Sequence, residues 1–266
     1  MPTRLAEYRM VGPAGPFGNG SRAWLAEPPL GTTSDSPVVI VELDAVGDDT
    51  WPATQALLHE LASVSSAHVP RLLESGRGEG NEPATWISRD RPAARSLATA
   101  VGDRRAALRV LAGAARGAHD LHEAGWAHGD IRLATVLVDA GEGLLDLPTR
   151  LASTVPPAVI QVVDPSDLDG VDSDRLWGAG PTRASDIYAL GAAIHRALTG
   201  APLHPDLAAD QPVTAVQRVL VEGPRITPTF GGPVAQLVRD CLDPDPARRP
   251  PSAAHLADQL DDLAVA

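Results

Sequence analysis

Lysine is missing from this chain: all 22 basic residues among its 266 positions are arginine. That absence removes the compact ammonium group of a single-point phosphate contact, which the planar guanidinium does not replace. Abundant Ala, Arg, Gly and Pro beside it is also what a GC-rich coding sequence produces. Only one cysteine, Cys241, is present, which excludes an internal disulfide and fits a reducing cytoplasm. Aromatic residues make up 3%, so the core has to come mainly from Ala, Val and Leu. No run approaches the ~20 apolar residues that cross a bilayer. The N-terminus also lacks the basic segment and apolar run of a signal peptide. Together these features predict a cytoplasmic chain without a membrane span. Positive charge is in deficit as well: 22 basic against 34 acidic residues give a formal charge of −12, which argues against nucleic acid as a partner.

What is present suffices for a folded domain, since 44% of the residues are hydrophobic and the length allows a substantial core. Residues 1–90 read as mostly β. Tyr8 to Val11 and Arg22 to Glu27 are candidate strands around a turn rich in Gly and Pro. The continuous run Val38-Val39-Ile40-Val41 reads as a strand buried on both faces. A helix is predicted from Trp51 to Val64, then short strands at Val69 to Glu74 and Thr85 to Ser88. From Arg91 onward the pattern turns helical. Between Arg104 and Ala124, Leu108, Leu111, Ala115, Ala118 and Leu121 recur at three- and four-residue steps. Ser185 to Thr199 repeats that signal and stops at Gly200. Pro233 to Leu242 and Ser252 to Leu263 predict two more helices. Residues 146–181, rich in Pro and Asp, show little periodicity and are too long for an ordinary connector.

Several short motifs stand in a fixed order. His128-Gly129-Asp130 opens a loop that reaches Thr135, and Asp146-Leu147-Pro148 comes sixteen residues after Asp130. Then come Asp172-Ser173-Asp174-Arg175-Leu176-Trp177, Ser185-Asp186-Ile187-Tyr188-Ala189-Leu190-Gly191 and Asp245-Pro246-Ala247-Arg248-Arg249-Pro250. Taken singly, His128 reads as a structural histidine, and Asp130 as a turn residue or helix cap. In this order they resemble the protein kinase family, most closely the bacterial Hanks-type Ser/Thr kinases. The resemblance covers nearly the whole chain. It implies an α+β, bilobal kinase-like fold, with a small β-rich N-lobe over residues 1–90 and a larger helical C-lobe over 91–266.

Under that resemblance Asp130 is the vestige of the base that accepts a hydroxyl proton. Thr135 stands in place of a metal-binding Asn, and Asp146 is a vestigial metal ligand. Val41 stands where the family has its phosphate-pairing lysine, with Glu42 beside it. That lysine's helical glutamate partner aligns near Leu57, and Glu60 comes one turn later. Gly18 and Gly20 remain from a degenerate Gly-rich loop that Pro13 and Pro16 stiffen. Gly129 replaces an Arg that binds a phosphorylated activation loop, where Thr149, Ser153, Thr154, Ser166 and Ser173 are the modifiable residues. His128, Asp174, Asp186 and Arg249 are structural: Asp186 accepts from the catalytic-loop backbone, and Asp174 pairs with Arg249. Losing one preorganised donor costs ~10²–10³ in rate. Losing both lysine and asparagine then leaves little turnover, although such losses are not additive.

The resemblance therefore implies a pseudokinase: no cofactor is expected, ATP and Mg²⁺ binding is weak or absent, and the function is regulatory or scaffolding contact with a protein partner. That partner can be a membrane protein to which the chain is fused or docked. Two alternatives remain. One is a slow Ser/Thr kinase using Asp130 and Asp146; the other, suggested by His-Gly-Asp itself, is a small-molecule phosphotransferase resembling the aminoglycoside phosphotransferases.

Overall fold

A computed structural model describes residues 4–5, 7–14, 23–29, 37–43, 49, 51–77, 85–90, 95–99, 103–139, 141–146, 165–207, 211–227 and 232–265. The chain is mixed α+β. Strands β1 (Arg4–Leu5), β2 (Tyr8–Pro13), β3 (Ala23–Glu27) and β4 (Val38–Leu43) come first. Helix α1 (Trp51–Ala62), β5 (Leu72–Arg77) and β6 (Thr85–Arg89) come next. The six strands form one antiparallel sheet in the order β1-β2-β3-β4-β6-β5.

The apolar run at β4 explains its central place. Val38, Val39, Ile40 and Val41 are all buried, because both faces of this strand are covered. Val39 and Val41 belong to the main core with Ala23, Leu58, Leu61 and Ile87. Val38 and Ile40 face the other way, into a smaller cluster with Tyr8, Ala26 and Trp86. Tyr8 and Trp86 meet edge to face there at 5.8 Å. The alternation in β6 sets the direction of its last side chain. Ile87 and Arg89 share one face and Trp86 and Ser88 the other, so Arg89, opposite Val39 in register, points to the main-core side.

Beyond β7 (Arg95–Ser96) lies α2 (Arg104–Glu123), started by Asp103, whose carboxylate accepts the Ala106 N–H at 2.7 Å. Strands β8 (Val136–Asp139) and β9 (Glu142–Leu145) form a hairpin through Gly141, with φ +91°, and join β7 in a second sheet. Helix α2 lies directly on β9. A Cβ on Gly143 would sit 1.7 Å from the Val110 carbonyl oxygen, and one on Gly113 2.3 Å from the Gly143 oxygen. Only two glycines allow that approach, which fixes the height of β9 and of Asp146 just after it.

After a 3₁₀ turn (Pro165–Gly170) and α3 (Ser173–Leu176), α4 (Arg183–Thr199) runs through the centre of the helical part. Thr182 and Ser185 form a reciprocal capping box at its start, and Gly200 (φ 69°) ends it. Helix α5 (Pro212–Glu222) packs on the Pro165–Gly170 turn and on α3, while α6 (Gly232–Cys241) and α7 (Ala253–Val265) pack on α4 and α2, with a 3₁₀ turn (Pro246–Arg248) between them. One continuous core runs from Val41 and Leu58 through Leu111 and Leu145 to Leu190 and Leu256. Among the described residues, no helix is long and apolar enough to cross a membrane.

The elements read from sequence agree with these bounds to within a few residues. Strands β1 and β7, the β8–β9 hairpin and helices α3 and α5 were not expected.

Candidate functional site

The segment from Gly125 to Thr135 connects α2 to β8 and is held from three sides. Asp186, in the first turn of α4, accepts the His128 N–H at 2.7 Å on one oxygen and the Gly129 N–H at 2.8 Å on the other. The His122 ring, through Nε2, lies 2.9 Å from the first of these oxygens. All these groups are buried or nearly so, and a carboxylate inside a protein needs such donors. Asp186 thus shapes the loop rather than facing a substrate.

His128 connects the loop to the strand end beside it. The Asp130 N–H donates to Nδ1 at 3.2 Å, and Nε2 lies 2.8 Å from the Asp146 carbonyl oxygen. An acceptor at Nδ1 assigns the proton of the neutral ring to Nε2, which donates to Asp146. Gly129 has φ +74°, and a Cβ there would lie 2.9 Å from Pro181 Cβ. The positive φ and the close approach of Pro181 both favour glycine at this position.

Each carboxylate in this region has its own arginine or backbone partners. Asp130 is gripped by Arg132, two residues on, with Oδ1 3.0 Å from Nε and Oδ2 3.2 Å from the terminal nitrogen. The two side chains are 15% and 18% exposed, so Asp130 is partly open to water. Thr135 is buried, and its hydroxyl belongs to the loop itself. It accepts the Arg132 N–H at 3.0 Å, donates to the Asp130 carbonyl at 2.8 Å and lies 3.1 Å from the Arg132 carbonyl.

Asp146 is the most enclosed of the set. Its N–H donates to the Thr135 carbonyl at 2.9 Å, and its carboxylate meets the Arg89 guanidinium at 3.1 Å. The two side chains are 5% and 2% exposed. Sequence reasoning missed Arg89, which lies 57 positions away and one residue past the strand read from the sequence. The signal was available: with Ile87 facing inward, a strand continuing to Arg89 turns it inward too.

The remaining positions spread out. Val41 is fully buried and its side chain lies in the main core. On α1 the inward residues are Thr54, Leu58 and Leu61, while Leu57 is half-buried and Glu60 exposed. Neither position puts a carboxylate on the inner face of α1. Gly18, Gly20, Pro16, Arg22, Leu147, Pro148, Thr149, Ser153 and Thr154 lie outside the described residues, as does the side chain of Ser166.

One pairing has to be corrected. Arg249 binds Asp172, not Asp174: its guanidinium is 2.7 Å from Asp172 Oδ2 and also donates to the Ala184 carbonyl at 2.8 Å and the Asp243 carbonyl at 2.9 Å. It stacks over the Tyr188 ring at 5.1 Å. Asp172 caps α3 from an extended backbone (φ −75°, ψ 169°), which aims its carboxylate inward, with Oδ1 taking the Arg175 N–H. Asp174 sits in the first turn of α3 and is exposed.

Magnesium and a nucleotide fit this arrangement poorly. The Asp146 carboxylate is enclosed with a guanidinium, the Thr135 proton is committed to the loop, and Asp130 is clamped by Arg132. Among the described residues, no group of three or more His, Cys, Asp or Glu could hold a metal ion. No protein-family model matches the chain, and no curated protein matches it either.

Proposed function

We propose that this chain is a pseudokinase: a bilobal, protein-kinase-like scaffold that has lost phosphoryl transfer and works by contact with another protein in signalling. The ordered motifs support the kinase-like part of this reading. The single observation that carries the loss of chemistry is the buried Asp146–Arg89 pair, in which a guanidinium already occupies the carboxylate the family uses for metal. Thr135 and Val41 support it in the same direction. One hydroxyl is built into a turn and one apolar side chain into the core, where the reaction calls for a metal ligand and a phosphate-binding cation.

The test is a phosphotransfer assay with Mg²⁺ and labelled ATP, using generic protein acceptors and an aminoglycoside, on wild type and Asp130→Ala. The expected result is no transfer above the Asp130→Ala background. Transfer to protein that disappears in Asp130→Ala would favour the slow-kinase alternative. Transfer to the sugar alone would favour the small-molecule phosphotransferase.

A further inference from the structure

We propose that Arg89 is a built-in cation for Asp146, doing internally what a bound divalent ion would do for that carboxylate and tying the six-stranded sheet to the helical part of the chain without a ligand. The proposal rests on the pseudokinase reading only in taking Asp146 as the position where the family holds a metal.

Both side chains are almost completely buried, at 2% and 5% exposure, and their nearest atoms are 3.1 Å apart. A carboxylate so far from water demands a positive charge or a set of donors beside it. The cation arrives by design of the strand. Register sets Arg89 opposite Val39, on the face that carries Ile87 into the main core. Asp146 is equally constrained. Its N–H is bound to Thr135, its carbonyl to the His128 ring, and the preceding Leu145 is fully buried against α2. The backbone on either side of the carboxylate is therefore held, and the side chain meets a guanidinium inside the protein. A divalent ion at the same oxygen would stand beside that fixed positive charge. The chain has in this way exchanged an exchangeable ion for a covalently attached one.

Mn²⁺ is the probe, with unbound ion read by electron paramagnetic resonance and melting monitored in parallel. Wild type is expected to take up no more Mn²⁺ than Asp146→Asn. Arg89→Gln is expected to melt lower, because it leaves the buried carboxylate without its cation, and Arg89→Gln/Asp146→Asn is expected to regain part of that loss. If Arg89→Gln does not fold, the folding of the double variant replaces the comparison: recovery supports the proposal, and no recovery overturns it. A folded Arg89→Gln that melts with wild type also overturns it. So does Asp146-dependent Mn²⁺ uptake by wild type. Phosphotransfer by a wild-type protein that ignores Mn²⁺ at Asp146 would defeat the pseudokinase reading alone. An inactive protein whose folded Arg89→Gln form melts with wild type would defeat the Arg89 assignment alone.

Discussion

Single side chains in this protein are held by charge partners drawn from distant parts of the chain. Arg249 shows how far such a pair can be read from sequence. Its motif identified it as a structural arginine, but both Asp172 and Asp174 were available, and only the extended cap conformation turns Asp172 inward. Removing one member of a buried pair costs ~3–5 kcal/mol, because the other is left buried and uncompensated. Asp172→Ala should therefore lower stability by about that amount, whereas exposed Asp174→Ala should change it by no more than ~0.5 kcal/mol. Chemical denaturation of the two variants decides between them, and equal effects would contradict the assignment. Gly129 makes a second case. Gly129→Arg puts a side chain at φ +74° and against Pro181, so it should destabilise by ~1–3 kcal/mol. It should also leave phosphotransfer absent, and gain of activity in that variant would refute this account of the loop.

Secondary-structure elements were more legible than their contacts. The continuous apolar run of β4 and the helical period of α2 and α4 gave themselves away because each is covered by the core along most of its length. Helix α5 did not. It begins at Pro212, the preceding Gln211 gives no side-chain cap, and its buried positions Ala215 and Val219 form a narrow stripe. Strands β8 and β9 have four residues each, too few for a two-residue alternation to stand out. What holds them is tertiary: the glycine contact between α2 and β9. Gly143→Ala directs a methyl group at the Val110 backbone carbonyl, which cannot rotate aside. A loss of ~1–3 kcal/mol is expected, read as a lower Tm, and an unchanged Tm would mean that the helix and strand do not lie this close.

At the scale of the whole molecule, a mixed α+β chain with a β-rich sheet and several helices was plain from composition and periodicity. The electrostatic joint between them was not, since the Arg89–Asp146 contact spans 57 positions and leaves no local pattern. Buried histidines add a global pH response. His195 and His204 both have pKa values lowered from the ordinary ~6.5, chiefly by burial. At His195 the backbone at Ala201 opposes this and Arg196 reinforces it. At His204 Glu222 opposes it, while Arg225 and Arg218 reinforce it. A lowered pKa in the fold means that the unfolded chain takes up protons first. Their stabilising contribution is thus complete above about pH 6.5 and is lost as the pH falls below that value towards the folded pKa. Asp169, raised by burial against the lowering effect of the Leu203 and His204 N–H groups, works in the opposite sense. The Tm should drop between pH 7 and pH 5, and drop less in His204→Phe. A Tm that rises on acidification over that interval would contradict this.

Every carboxylate of the candidate site meets its positive charge or its hydrogen-bond donors within the protein: Asp130 at Arg132, Asp146 at Arg89, Asp172 at Arg249, and Asp186 at two backbone N–H groups and His122. Under the proposed pseudokinase reading, a site neutralised in this way has little use for magnesium nucleotide. Calorimetric titration of the wild-type protein with ATP in the presence of Mg²⁺ tests that most directly. The account predicts no heat of binding beyond dilution, and none that depends on Mg²⁺. Saturable, Mg²⁺-dependent binding that is lost in Asp146→Asn would contradict it.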